Sequence, residues 1–274
     1  MSTTPQEELA IAEHLIAAYD ASIMLAPISQ HTPQFDIPGA YRVLGLIENH
    51  RIDRGWKPVG RKIGFTNTTL WPRYGVFQPM WARVWSHTVH VADGNTASLG
   101  MSSFVQPRIE PEVVFGLAET PPLTDDPRAL LESVAWIAPG FEIVQSHYPD
   151  WKFTAADCTA AFGLHGALVV GERIALSAGD RDAISRRLPT FALSLRKNGE
   201  VIDRGTGANV LGGPAHALLH LVRLLAADPA APPLSAGELV STGTITDAWP
   251  IAAGETWTSD YGELPLPGLR LSVH

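Results

Sequence analysis

The chain has 274 residues, of which 45% are hydrophobic and 18% are charged, a composition typical of a globular protein with a full core. Its formal net charge of -8 argues against a nucleic-acid-binding surface, and no apolar run approaches the length of a membrane span. The N-terminus lacks the basic segment and apolar stretch of a signal peptide, so we expect a cytoplasmic protein. Because the net charge argues against nucleic acid as a partner, we expect an enzyme that acts on small molecules.

Helices are predicted in the first part of the chain. Thr4, Pro5 and Glu7 form a capping pattern, and apolar residues at helical spacing then continue to about residue 20. A second helix is predicted from about Pro38 until just before Gly55, after an intervening loop.

A short extended run at residues 59–66 places Lys62 between two glycines, where a ligand can approach the backbone closely. Lys62 is therefore a candidate functional residue, and a simply exposed lysine is the alternative. The aromatic-rich stretch at residues 71–85 is interpreted either as a core or subunit contact or as part of a hydrophobic substrate pocket.

From about residue 84 the pattern changes from helices to strands. A helix at residues 127–137 and a helix at residues 214–226 interrupt this region, and Asn198-Gly199 is a strong hairpin signal. Helices first and strands later predict an α+β protein. We expect an N-terminal helical segment over residues 1–83 and a β-rich catalytic core over residues 84–274. The predicted strands cover residues 84–91, 107–115, 139–144, 167–170, 193–197 and 200–203.

Two acidic side chains are the strongest chemical signal in the chain. Glu110 and Glu112 lie in an apolar run typical of a strand, and alternation along a strand points both to the same face. Without a cation the two carboxylates would repel, whereas a hard divalent ion such as Mg²⁺ or Mn²⁺ turns that repulsion into coordination. Glu142, in a second apolar run, is a candidate third ligand. The alternative is a solvated acidic edge with an unrelated Glu142.

Five motifs occur in a fixed order: Gly-Arg-Lys-Ile-Gly at residues 60–64, Arg-Ile-Glu-Pro-Glu at 108–112, Glu-Ile-Val at 142–144, Asp-Trp-Lys at 150–152 and Ser-Thr-Gly-Thr at 241–244. Together they resemble the fumarylacetoacetate hydrolase superfamily, and within it the branch of 2-keto-4-pentenoate hydratases and 4-oxalocrotonate decarboxylases. The resemblance implies a mixed β-sandwich or β-roll core with an N-terminal helical segment. It also implies a homo-oligomer, and it allows a complex with a partner enzyme of the same pathway.

The same resemblance implies a set of site residues. Glu110, Glu112 and Glu142 would bind one divalent cation per subunit, either Mg²⁺ or Mn²⁺. Lys62 would lie beside the substrate, a small 2-hydroxydienoic or 2-oxo acid. Two further residues of the matched motifs, Arg61 and Thr244, are predicted to bind substrate.

Two runs depart from the pattern of this branch. Met80 stands where the branch usually carries an aspartate regarded as catalytic, and residues 160–165 replace a polar run. We therefore predict a more apolar substrate pocket. His165 is the new acid–base candidate in the changed run, with an ordinary structural histidine as the alternative. The predicted apolar lining residues are Met80, Trp81, Phe162 and Leu164.

The implied activity is the metal-dependent addition of water to a 2-hydroxy-2,4-dienoate, which gives a 4-hydroxy-2-oxo acid in the breakdown of aromatic compounds. The cation stabilises enolate charge while a proton moves along the carbon chain. Decarboxylation or C–C cleavage of a 2-oxo acid uses the same stabilisation and remains an alternative. A non-catalytic accessory subunit is the alternative from a different class.

Overall fold

The computed structural model describes residues 2–68, 71–74 and 76–274. Gly75, inside the aromatic-rich stretch, and Met1 lie outside the described residues. The helices are α1 (Pro5–Ala21), α2 (Ile28–His31), α3 (Ile37–Asp53), α4 (Trp71–Tyr74), α5 (Pro127–Leu130), α6 (Ala155–Ala160), α7 (Arg181–Arg187) and α8 (Pro214–Ala227).

The strands alternate with these helices from residue 58 onward. They are β1 (Pro58–Gly64), β2 (Met80–Trp85), β3 (Val89–Val91), β4 (Thr96–Leu99), β5 (Arg108–Leu117), β6 (Val134–Val144), β7 (His165–Val170), β8 (Ile174–Ala175), β9 (Ala192–Lys197), β10 (Glu200–Thr206), β11 (Leu239–Ser241), β12 (Trp249–Pro250), β13 (Thr256–Asp260) and β14 (Arg270–Val273).

Within the described residues the strands form two sheets. The larger sheet has nine strands in the order β2-β1-β11-β5-β6-β7-β3, with β12 beside β5 and β8 beside β6. The smaller sheet has five strands in the order β10-β9-β13-β14-β4. Apolar side chains of both sheets, such as Phe115 and Trp257, belong to one buried cluster. The predicted α+β class with a mixed β core is confirmed.

The two N-terminal helices form where their caps predict them. Thr4 accepts a hydrogen bond from the backbone N–H of Glu7, whose side chain accepts in return from the Thr4 backbone. The side chain of Asp36 caps α3 by accepting a hydrogen bond from the Gly39 backbone N–H. Both helices pack with α6 in a second apolar cluster that reaches the end of β6 at Val144. These helices therefore pack near the end of β6 at Val144.

Three predicted segments differ from the structure. The helix predicted over residues 127–137 ends at Leu130, and after one 3₁₀ turn the chain becomes β6. Strand pairing explains why the helix ends early, because Trp136 and Ile137 lie opposite Gly116 and Phe115 of β5. The strand predicted over residues 84–91 is interrupted by a 3₁₀ turn at Ser86–Thr88. The loop predicted after the first helix contains the short helix α2.

Other predicted elements are present. Asn198 and Gly199 both have positive φ angles, 51° and 90°, and connect β9 to β10 as a hairpin.

The stretch Gly207–Ala227 is apolar enough by composition to span a membrane, but half of it is buried in the fold. Its main part, α8, contributes Leu218 and Leu221 to the shared core, as an amphipathic helix of a packed protein does.

The predicted boundary at residue 83 lies inside β2. Both β1 and β2 belong to the large sheet, although they precede most of the β-rich region in sequence. The division into a helical segment and a catalytic core stays a prediction. What matters for the site is that β1 lies next to β11, and β11 lies next to β5.

Candidate metal and substrate site

The ladder between β5 and β6 brings three carboxylates together. Glu110 and Glu142 are directly opposite partners in this antiparallel pair, and Glu112 follows two residues further along β5 on the same face. Ligand oxygens of the three side chains lie within 4.8 Å of one another. The alternation argument therefore places Glu110 and Glu112 correctly, and strand pairing adds Glu142.

One carboxylate oxygen of Glu112 accepts hydrogen bonds from the protein, and the other is left for a cation. Its Oε2 accepts hydrogen bonds from the hydroxyl of Ser241 and from the backbone N–H of Gly243, the latter at 2.8 Å. Its Oε1 is buried and has no hydrogen-bond partner among the described residues. A buried carboxylate oxygen with no donor is costly unless a cation occupies the place beside it, so this donor set fits a divalent metal ion.

Glu142 has a similar arrangement. Its Oε1 lies 2.8 Å from Nδ1 of His165, and its Oε2 lies 2.9 Å from Nζ of Lys62. The second ring nitrogen of His165 lies 2.8 Å from the hydroxyl oxygen of Thr88. Glu142, His165 and Lys62 are all buried.

The hydroxyl of Tyr261, a residue outside the large sheet, forms hydrogen bonds with the β5–β6 ladder at the Glu112–Gly140 pair. The N–H of Gly140 donates to the Tyr261 hydroxyl at 3.2 Å, and that hydroxyl donates to the Glu112 carbonyl at 2.7 Å. Gly140 has no room for a side chain, because a Cβ there would lie 2.6 Å from Val114 Cγ2. Tyr261 follows β13 and so connects the small sheet to the backbone of Glu112.

Burial and mutual repulsion oppose ionisation of the cluster. Burial raises the pKa of Glu110 to about 7, against the lowering effect of Lys62. Burial and the charges of Glu142 and Glu110 raise the pKa of Glu112 well above its usual value. For Glu142 burial is outweighed by Lys62 and His165, which hold its pKa below its usual value. In the described part of the chain one lysine faces these three carboxylates, and a divalent cation would favour the ionised form of Glu110 and Glu112.

Lys62 is a cation within this cluster. Burial alone would lower the pKa of Lys62, but Glu142 foremost, and Glu110 and Glu112 with it, raise that pKa above its usual value. Lys62 is therefore protonated at neutral pH.

A cleft of about 650 Å³, including its open mouth, lies in front of Lys62 and Glu110. Three of the residues predicted to bind substrate, Met80, Leu164 and Thr244, line it. Most other lining side chains are apolar, as the two departures from the branch pattern predict. The remaining lining residues are Ile63, Gly64, Phe65, Thr66, Asn67, Arg108, Val144, Trp151, Phe153, Cys158, Gly163, Gly243 and Ala248.

Arg61, Trp81 and Phe162 do not line this cleft, so their predicted contact with substrate stays a prediction that the cleft does not support. Arg61 precedes Lys62 and points to the opposite face of β1, where its guanidinium forms an ion pair with Glu238. The Arg61 guanidinium lies 5.4 Å over the ring of Trp81. Phe162 packs against the ring of Tyr19 at 4.5 Å between centroids.

His165 also lies outside the cleft. It is buried on the far side of Glu142, with its ring held between that carboxylate and Thr88. A direct exchange of protons between His165 and substrate does not fit this placement.

Two residues that line the cleft, Arg108 and Cys158, were not predicted as site residues. Arg108 shares the face of Glu110 by the same alternation that found Glu112, and its guanidinium lies 4.2 Å over the ring of Trp151. Cys158 lines the cleft, but burial raises the pKa of its thiol to about 12, so the thiol stays protonated.

Known proteins resemble the chain over nearly its whole length. It is 30% identical to a 2-hydroxyhexa-2,4-dienoate hydratase of Comamonas testosteroni over 89% of each chain. It is also 30% identical to a 4-oxalocrotonate decarboxylase of Pseudomonas sp. (strain CF600) over 94% of each chain. No protein-family model matches the chain.

Solved structures resemble the fold. A 4-oxalocrotonate decarboxylase from Pseudomonas putida G7, complexed with magnesium and adipate, superposes with a TM-score of 0.89 at 25% identity over 100% of this chain and 99% of that one. A fumarylpyruvate hydrolase from Pseudomonas aeruginosa, in complex with Mn²⁺ and pyruvate, has a TM-score of 0.58 at 16% identity, over 78% of this chain and 88% of that one, and shares the fold alone.

Proposed function

Because the chain belongs to the family of 2-keto-4-pentenoate hydratases and 4-oxalocrotonate decarboxylases, within the fumarylacetoacetate hydrolase superfamily, we propose that it is a divalent-metal-dependent hydratase. Its substrate is a 2-hydroxy-2,4-dienoate, and its product is a 4-hydroxy-2-oxo acid. The observation that carries this proposal is the group of three buried carboxylates beside Lys62 at an apolar cleft.

Glu110, Glu112 and Glu142 hold the cation in this proposal, one per subunit. Mg²⁺ and Mn²⁺ suit a site made of carboxylate oxygens, and they are the ions named for the similar decarboxylase and hydrolase structures. Such an ion supplies Lewis-acid stabilisation of the negative charge that develops on the substrate's C2 oxygen and carboxylate.

The protein's own groups bind and orient the substrate. Lys62 lines the cleft, and its ammonium can pair with the substrate carboxylate or carry a proton to the carbon chain. Thr244 lines the same cleft, and its hydroxyl donates to the Thr246 carbonyl at 2.9 Å. Met80 and Leu164 surround the substrate's carbon chain with apolar surface, which favours a hydrophobic tail over a charged one.

Decarboxylation of a 2-oxo diacid is a second candidate, and Met80 favours it. Hydration needs a group that activates water, yet Met80 stands where the branch usually carries aspartate. In the described part of the chain, the titratable side chains that line the cleft are Lys62, Arg108, Glu110 and Cys158. Loss of CO₂ needs enolate stabilisation without a base for water.

A panel of 2-hydroxy-2,4-dienoates and 2-oxo diacids, each with added Mg²⁺ or Mn²⁺, tests the proposal. Loss of the conjugated chromophore without CO₂ release supports hydration, and CO₂ release supports decarboxylation. C–C cleavage would instead yield two smaller acids. Tight Mn²⁺ binding with no turnover across the panel would indicate an accessory subunit.

We also propose a cytoplasmic homo-oligomer that forms a complex with a partner enzyme of the same pathway. This part rests on the resemblance to the branch. Light scattering after size-exclusion chromatography measures the subunit number, and a single-subunit mass would contradict it.

A further inference from the structure

We propose that His165 is a positioning residue that fixes the carboxylate of Glu142 for cation binding. This inference rests on the proposed metal site and deepens it. It replaces the predicted role of His165 as an acid or base toward the substrate.

A buried chain of contacts carries the proposal. The hydroxyl oxygen of Thr88 lies 2.9 Å from the carbonyl oxygen of Trp85 and 2.8 Å from Nε2 of His165. Nδ1 of His165 lies 2.8 Å from Oε1 of Glu142. An ionised carboxylate only accepts hydrogen bonds, so Nδ1 carries the hydrogen and donates it. Both ring nitrogens are engaged, and the imidazole has one orientation.

A β-bulge points His165 at Glu142. In the β6–β7 ladder Ile143 pairs with Ala167, but Val144 pairs with His165, so Gly166 is an extra residue on β7. In a regular ladder Gly166 would pair with Val144, and the alternation would turn the imidazole of His165 away from the face of Glu142. Gly166 suits the bulge because a Cβ would lie 2.8 Å from both the Ile143 carbonyl and the Phe104 ring.

Glu142 shares one feature with Glu112, because a protein donor holds one of its two carboxylate oxygens. Glu112 has Oε2 held by Ser241 and by the Gly243 N–H, which leaves Oε1 to a cation. Glu142 has Oε1 held by His165, which leaves Oε2 toward Lys62. A carboxylate held by one oxygen loses less side-chain freedom when it binds a metal, so its affinity is higher.

Two substitutions separate this role from steric filling. In His165→Asn the amide nitrogen takes the place of Nδ1 and keeps the bond to Glu142, whereas in His165→Gln it takes the place of Nε2 and keeps only the contact with Thr88. Calorimetric titration with Mn²⁺, without substrate, should show parent-like affinity for His165→Asn within about threefold. We expect His165→Gln to bind about 10 to 100 times more weakly.

Thr88→Val keeps the shape of the side chain but removes the hydroxyl that contacts Nε2 of His165. We expect Mn²⁺ affinity to fall about three- to tenfold, which is less than the loss in His165→Gln. Saturating Mn²⁺ should restore kcat of His165→Gln, because the defect lies in binding the metal. Parent-like Mn²⁺ binding by His165→Gln, or equal losses in His165→Asn and His165→Gln, would overturn the inference alone. A parent protein that binds no Mn²⁺ would overturn the proposed function as well.

Discussion

Lys62 Nζ lies 2.9 Å from Oε2 of Glu142, and only 4% and 1% of their side-chain surfaces are exposed. This contact joins the proposed substrate-binding cation to the proposed metal ligands. We expect Lys62→Met to lose activity, with kcat/KM reduced by about 100-fold or more, because the group that pairs with substrate or moves its proton is gone. Mn²⁺ binding should persist, because the three carboxylates remain.

Lys57→Met is the matched control, since Lys57 is exposed just before β1. It should keep the parent's kcat/KM. Parent-like kcat/KM in Lys62→Met would remove Lys62 from the mechanism.

Glu112→Gln should abolish tight Mn²⁺ binding. The amide oxygen can take over the hydrogen bonds from Ser241 and Gly243, and the amide NH₂ then occupies the position of Oε1 and cannot ligate a metal. We expect affinity to fall by about 100-fold or more in a calorimetric titration. Glu119→Gln, an exposed substitution beyond the end of β5, should bind Mn²⁺ like the parent. Unchanged affinity in Glu112→Gln would show that the metal site is assigned to the wrong residues.

Mn²⁺ affinity should rise with pH from about 5.5 to 8. Without metal the pKa of Glu110 is raised to about 7 and that of Glu112 is raised as well, so binding below pH 7 must displace protons. Each displaced proton weakens binding about tenfold per pH unit below the relevant pKa. Titrations in buffers of different ionisation enthalpy count the protons released. Affinity that is flat over this range would contradict the prediction.

The raised pKa of Glu110 makes the stability of the metal-free protein depend on pH. A raised folded pKa means that the folded state binds the proton more tightly, so the contribution of Glu110 to folding falls as pH rises from about 4.5 to about 7. Bound Mn²⁺ should reverse this trend. Thermal unfolding at pH 5 and pH 7, with and without Mn²⁺, measures both effects. A metal-induced rise in Tm that is larger at pH 5 than at pH 7 would argue against it.

The apolar wall of the cleft predicts a preference for a hydrophobic tail on the dienoate. Each buried methylene adds ~0.8 kcal/mol, or about fourfold in kcat/KM, until the cleft is filled. Leu164→Ala should flatten this trend, while Leu123→Ala, on the exposed surface, should leave it unchanged. Kinetics over substrates ordered by tail length provide the measurement. A preference for substrates with a carboxylate tail would contradict the apolar-tail prediction.

Local patterns predicted much of the fold and the centre of the site. Strand alternation alone placed Glu110 and Glu112 on one face, and helix caps at Thr4 and Asp36 marked two helices. Alternation also argues against placing both Arg61 and Lys62 in the cleft, because neighbours on a strand face opposite ways. The motif as a whole suggested both residues, and the structure retains Lys62.

The rest depends on which strands pair and in which register. Ser241 and Gly243 reach Glu112 across 129 and 131 residues of sequence, through the pairing of β11 with β5. The orientation of His165 depends on one extra residue at Gly166, which no period-two pattern reveals. Long-range pairing of this kind is set by the packing of the whole core and not by local propensity.

The hydroxyl of Tyr261 has a consequence for how the molecule unfolds. It joins the backbone of Glu112 and Gly140 to the chain that leaves β13, so the small sheet is bonded to the strand that carries two of the carboxylates. Opening of the small sheet must break this bond and disturb Glu112. A cation bound at the carboxylates should therefore slow amide hydrogen exchange in β9 and β13, which do not carry the ligands, and the two sheets should exchange as one cooperative unit.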